Sequence, residues 1–203
     1  MAVFRLHCSK EKLMEMANNV RIAAVVFEGG FAIDEFLGEI AKHLRAEGVR
    51  LGGAVQENLR EADGAPCSAM VLTELKSQRR FLISQKLGAQ AQGCRLDAGG
   101  LAEAGVALDA SIHGDLDLML MNRFGVAEAE GRGLRPIFAR AIEAGIPLLT
   151  AVRPPYTEEW AEFHGGLAVD LPPQVEPVLA WCRESVLLTR AARQAEPAAA
   201  GPA

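Results

Sequence analysis

Ile22-Ala23-Ala24-Val25-Val26-Phe27-Glu28-Gly29-Gly30 sets a run of apolar residues against an acidic, glycine-paired break. Beyond the break, Asp34 to Glu47 places Phe36, Leu37, Ile40, Ala41 and Leu44 at helical spacing, and Gly48 stops the helix. Val49 to Val55 then reads as a second strand, so residues 22–55 form a strand, helix, strand unit long enough to join parallel neighbours. A glycine turn between strand and helix is also the shape of a phosphate cradle, in which backbone N–H groups and the helix N-terminus face an anion. The usual cradle adds a lysine and a hydroxyl in the order Gly-Lys-Ser/Thr. Here the glycines are followed by Phe31-Ala32-Ile33-Asp34-Glu35-Phe36, which supply neither. Two readings stay open: an anion site at Glu28, Gly29 and Gly30, or a tight turn with Asp34 as a helix cap.

Working outward, the same alternation continues. Gln56 to Cys67 reads as loop, and Ala69–Leu75 with Arg80–Ser84 as a short hairpin. Leu101 to Ile112 has helical periodicity, and Leu116 to Met121 is a dense apolar run suited to a central strand buried on both faces. A helix over Gly133–Ala144, a strand over Ile146–Val152, a short helix around Trp160, a strand over Leu167–Asp170 and a helix over Val175–Leu188 complete the pattern. The expected organisation is an N-terminal extension over 1–19, a single α/β domain over 20–188 and a disordered tail over 189–203. The expected fold is a three-layer, mostly parallel sheet with helices on both faces. Ligands of such sheets bind beyond the carboxyl ends of the strands, which singles out the loops after Phe27, Met121 and Val152.

Composition narrows the partners. The 203 residues carry a net charge of -5, which argues against a broad surface for long nucleic acid. No run approaches the ~20 apolar residues of a membrane span, and no secretory signal is legible near Met1, so a cytoplasmic location is expected. Cys8, Cys67, Cys94 and Cys182 lie far apart, as do the four histidines, and none shows metal-ligand spacing. Reduced thiols acting as small hydrophobes are expected, with Trp160 and Trp181 as core anchors.

Two further segments could carry chemistry. Asp115-Leu116-Asp117-Leu118-Met119-Leu120-Met121 ends in Asn122-Arg123-Phe124-Gly125, with Glu128 and Glu130 shortly after. A strand end of this kind in a nucleotide hydrolase carries an Asp for Mg²⁺ and a Glu that polarises water. Asn122 cannot supply the negative charge a hard cation favours, whereas Arg123 brings a fixed positive charge able to fork onto an oxyanion. The bland alternative is a turn capped by Asn122 with Arg123 solvated. The glycine-flanked Gly88-to-Asp97 segment offers Cys94 and Arg95 as ligand contacts, or equally a buried thiol beside a surface Arg95–Asp97 pair.

Taken together, several segments resemble a bacterial domain-of-unknown-function family, number 2478, described near molybdate-transport genes. They are Gly52-Gly53-Ala54-Val55-Gln56, Ile83-Ser84-Gln85-Lys86-Leu87-Gly88, Gly93-Cys94-Arg95-Leu96-Asp97, Asn122-Arg123-Phe124-Gly125 with Glu128, Glu130-Gly131-Arg132-Gly133-Leu134-Arg135, and Gly145-Ile146-Pro147-Leu148-Leu149-Thr150-Ala151-Val152. The same order is distantly similar to the small P-loop nucleoside-triphosphatases, with degenerate Walker motifs. Where those enzymes have Asp-Glu-Ile-Gly-x-x-Glu, this chain matches at Gly125 and Glu128 and departs at Asn122 and Arg123. The resemblance implies a P-loop-like fold and a ligand that is a molybdate-like oxyanion or a nucleotide.

The expected function is therefore non-hydrolytic binding of a small oxyanion or nucleotide, in molybdenum handling. The ligand-binding candidates are Glu28, Gly29, Gly30, Asn122, Arg123, Gly125, Cys94 and Arg95, with no metal ligands; the cofactor stays open, molybdate and a nucleotide being the candidates. Glu128 is the weak catalytic candidate for the alternative of a residual nucleoside-triphosphatase. The other alternative is an interaction module with a relic nucleotide site. Expected partners are the small anion and either a second copy of the chain or a protein of molybdenum metabolism, but no membrane.

Overall fold

The computed structural model describes residues 21–59, 69–85, 95–113 and 115–195. Strand β1 (Ile22–Val26) leads through the Gly-Gly turn into helix α1 (Ile33–Ala46), which returns to β2 (Leu51–Leu59). β3 (Ala69–Glu74) and β4 (Arg80–Leu82) form the hairpin, and β5 (Ser84–Gln85) pairs with β6 (Arg95–Leu96) as a separate two-stranded ribbon. Helix α2 (Ala98–Ser111) precedes β7 (Leu118–Met121), the short α3 (Val126–Ala129), and α4 (Arg135–Glu143). The chain continues through β8 (Leu148–Val152), α5 (Thr157–His164), β9 (Ala168–Leu171) and the long α6 (Val175–Ala195).

The main sheet has seven strands in the order β4-β3-β2-β7-β8-β1-β9. From β2 to β9 every neighbour is parallel, and the β3/β4 hairpin adds an antiparallel edge. The sheet is covered on both sides, which is why its central strands read as unbroken apolar runs. In β1, Ala23 and Val25 face the layer of α1 and α6, while Ile22 and Ala24 face that of α2, α4 and α5. β7 and β8 alternate the same way, with Leu118, Leu120, Leu149 and Ala151 on the first side and Met119, Met121, Leu148 and Val152 on the second. Leu37, Ile40 and Leu44 of α1 are fully buried, and cutting such a side chain back to alanine costs about 2–5 kcal/mol. Gly53 is required where β2 passes β7: it has a φ of +94°, and a Cβ there would stand 2.0 Å from the Leu120 carbonyl oxygen. Trp160, Trp181 and Cys182 are core residues, and burial pushes the Cys182 thiol up to about 12.

Most elements shift by up to three residues from the sequence reading, and two differ by more. Gln56 to Leu59 is strand rather than loop, because β3 supplies antiparallel partners from Ala54↔Glu74 to Leu59↔Ala69. Backbone pairing with a distant segment outweighs the polar composition. The last helix does not stop at Leu188 but runs to Ala195. Arg190 and Arg193 lie within that added length, and both bond to Asp117 at the foot of β7. Asp117 is also why β7 begins at Leu118: its carboxylate takes the Arg50 side chain at 2.7 Å and the Arg50 N–H at 3.1 Å. Residues 1–20 and 196–203 lie outside the described residues. Among the described residues, no helix is long and apolar enough to cross a membrane.

Candidate functional site

Because β7, β8 and β1 are adjacent, the three loops at their carboxyl ends stand side by side. They are stitched together by the Phe27 N–H on the Val152 carbonyl at 3.2 Å and the Phe124 N–H on the Ala151 carbonyl at 2.9 Å. A cleft of about 240 Å³ opens there, with Phe27, Gln56, Asn122, Arg123, Arg153 and Tyr156 in its wall.

A polar network runs from the cleft wall, at Gln56 and Asn122, into a neighbouring hollow lined by Asp34 and Asn58. The Asn122 side chain accepts the Gln56 N–H at 3.0 Å and donates to Asp34 Oδ1 at 3.0 Å. Asn58 donates to Asp34 Oδ2 at 2.7 Å, and Gln56 Nε2 donates to Asn58 Oδ1 at 2.8 Å. Arg123 Nε lies 3.5 Å from Asp34 Oδ1, close enough to balance its charge. Asp34, Asn122 and Gln56 are each 8% exposed, so an unmade bond here would carry a full desolvation cost. Asp34 is thus not a helix cap. The N-cap is Ala32, and Asp34 reaches from the first turn of α1 to the end of β7.

Glu128 has a comparable organising role. Its Oε2 accepts the Gly125 N–H at 3.1 Å, and its Oε1 the Leu134 N–H at 2.9 Å. The carboxylate closes the loop that carries Arg123 and Gly125, and Gly133 makes room for it: a Cβ at that residue would meet Oε1 at 2.3 Å. Arg135 donates to the Glu128 carbonyl at 2.9 Å and stacks over Phe163 at 4.8 Å, fixing the loop from behind.

Of the residues expected from sequence, Asn122, Arg123, Gly125 and Glu128 line the cleft. Glu28, Gly29 and Gly30 are exposed and form a turn closed by the Phe31 N–H on the Glu28 carbonyl at 3.2 Å, outside the cleft wall. Cys94 and the Arg95 side chain lie outside what the structure describes; the Arg95 backbone pairs with Gln85 in the β5/β6 ribbon. Sequence reasoning missed Arg153 and Tyr156, although Arg153 directly follows the strand whose end was singled out. It missed Gln56 and Asn58 because they were read as loop. Among the described residues Arg153 has no carboxylate partner; its guanidinium lies 6.0 Å from the Tyr156 ring.

A family model described as "Protein of unknown function (DUF2478)" matches residues 22–181, the whole of the main sheet and the first two turns of α6. The chain belongs to that family. This DUF2478 chain is 41% identical over 166 residues, 81% of its length, to "Molybdenum import ATP-binding protein ModC 2" of Bradyrhizobium diazoefficiens (strain JCM 10833 / BCRC 13528 / IAM 13628 / NBRC 14792 / USDA 110). The match spans only 18% of that relative's length. Among solved structures, a human cancer-related nucleoside triphosphatase superposes with a TM-score of 0.54, covering 85% of this chain and 99% of that one. At 14% identity that likeness is one of fold: the DUF2478 chain has the α/β architecture of a P-loop nucleoside triphosphatase.

Proposed function

We propose that this DUF2478 protein is a non-hydrolytic binder of a small anionic ligand, a molybdate-like oxyanion or a nucleotide, held at the carboxyl edge of its sheet. The observation that carries this reading is the pairing of Asn122 with Asp34 beside Arg123. At the strand end where a hydrolase places a metal-binding carboxylate, this chain has an amide, and the nearby carboxylate is held by two amide donors. A hard dication prefers a set of charged and neutral oxygens free to turn toward it. Arg123 beside Asp34 and the carboxylate-free Arg153 leave the cleft rim suited to oxyanion oxygens instead. Similarity to the molybdenum import protein ModC 2 supports molybdenum handling as the setting.

Calorimetric titration of the full chain with molybdate, tungstate, phosphate and ATP tests the proposal. Binding heat is expected from at least one of them, weakened at least tenfold in Arg153→Ala, with phosphate release from ATP no faster than in a Glu128→Ala control. Folded protein that gives no heat with any of the four overturns it.

A further inference from the structure

The cleft wall is mostly carbon. Phe27, Leu96, Leu101, Phe124, Val126 and Tyr156 line it, against a polar side formed chiefly by Asn122, Arg123 and Arg153. Leu96 is 41% and Val126 52% exposed, so the structure leaves large apolar side chains uncovered at this site while its core residues are sealed. A bare tetrahedral oxyanion makes poor use of such a wall, since its oxygens need donors and lose hydration against carbon. At about 240 Å³ the cleft is below the roughly 300–1,000 Å³ typical of sites that enclose a drug-sized ligand, so it suits one ring and one oxyanion group, whether free or as part of a nucleotide.

Resting on the anion-binding reading above, we infer that the ligand is a small planar ring carrying one oxyanion group. The ring lies against Phe27, Val126 and Tyr156, and the oxyanion faces Arg123 and Arg153. Tyr156 suits this division: the Arg153 guanidinium lies over its ring at 6.0 Å from the centroid, so aromatic surface and positive charge stand together at the cleft. The apolar wall and a guanidinium that has no carboxylate partner among the described residues together call for both parts in one compact molecule.

Phenyl phosphate, inorganic phosphate and phenol, titrated in parallel into the full chain, separate the parts. Phenyl phosphate is expected to bind at least tenfold more tightly than either of the others. Val126→Ser, at a half-exposed position that tolerates polarity, should narrow the phenyl phosphate to phosphate ratio to below threefold, and Tyr156→Ala should do the same. Equal affinity for phosphate and phenyl phosphate would overturn this inference and leave the anion reading standing. Phenol binding as well as phenyl phosphate would remove the anionic half, and silence from all three would count against both.

Discussion

Asn122 Nδ2 donates to Asp34 Oδ1 at 3.0 Å, joining the end of β7 to the first turn of α1 across 88 positions of sequence. The same side chain accepts the Gln56 N–H, so one amide satisfies two groups that water barely reaches. Asn122→Ala should therefore cost about 2 kcal/mol, the desolvation of the groups left without partners. Asn122→Asp should cost more near neutral pH, because it removes the donor and sets a second carboxylate against Asp34. Urea denaturation of the two variants checks the order, and an Asp variant as stable as wild type would contradict it.

Glu128 and Gly133 form a second dependent pair. Gly133 has a φ of +61°, in the left-handed region, and its missing Cβ leaves room for Glu128 Oε1. The backbone alone costs a side chain roughly 1–2 kcal/mol there. Gly133→Ala should lose about 3 kcal/mol, because the displaced carboxylate also releases the Gly125 and Leu134 N–H groups. Glu128→Gln keeps the size but gives up one acceptor, so hydrogen exchange should quicken at the Gly125 and Leu134 amides while the sheet keeps its protection.

Asp117 predicts an acid limit. Burial raises its pKa, but the bonds from Arg50, Arg190 and the Arg50 N–H, with the charge of Arg190, outweigh burial and hold the carboxyl well below the usual carboxylate range. A depressed folded pKa contributes stability in full above the unfolded value of about 4 and loses it as pH falls through the folded one. Stability should thus decline below pH ~4, and Asp117→Asn should flatten that decline. At neutral pH the variant should lose about 3 kcal/mol, the low end for a broken buried pair, because the arginines are partly exposed and can turn to solvent.

His164 sets a milder, local pH dependence. Its Nδ1 accepts the Gly166 and Ala168 N–H groups, both at 3.1 Å, holding the turn that feeds β9. Burial lowers its pKa, with Asp170 opposing more weakly. The neutral ring is therefore the folded form, and its contribution is complete above about pH 6.5 and lost as pH falls through the lowered value. Lower protection of the Gly166 and Ala168 amides, measured against the intrinsic exchange rate at each pH, is expected below pH 6 than at pH 7.5, with protection in β8 unchanged; equal protection at both pH values would show that the ring carries no such role.

Much of the fold was legible because its signals are local. The apolar run from Ile22, the helical spacing from Phe36 to Leu44 and the stop at Gly48 each reflect the period of one element against a flat core. Gln56 to Leu59 was not legible, since polar residues become strand there only through their ladder with β3. The reach of α6 past Leu188 was hidden for a related reason: Arg190 and Arg193 look like tail residues until Asp117 is found opposite them.

The sequence by itself determined that this is an α/β chain with a glycine turn lacking its lysine and a strand ending in Asn122-Arg123. Those facts are written in residue types at fixed spacing. Only the tertiary structure decided that β8 lies between β1 and β7, which sets Arg153 and Tyr156 beside Arg123 and turns Asp34 toward Asn122. Strand order follows from how separate faces pack against one another, and spacing along one chain does not encode it. The cleft accordingly lies at the ends of β7 and β8, with the Gly29-Gly30 turn outside its wall.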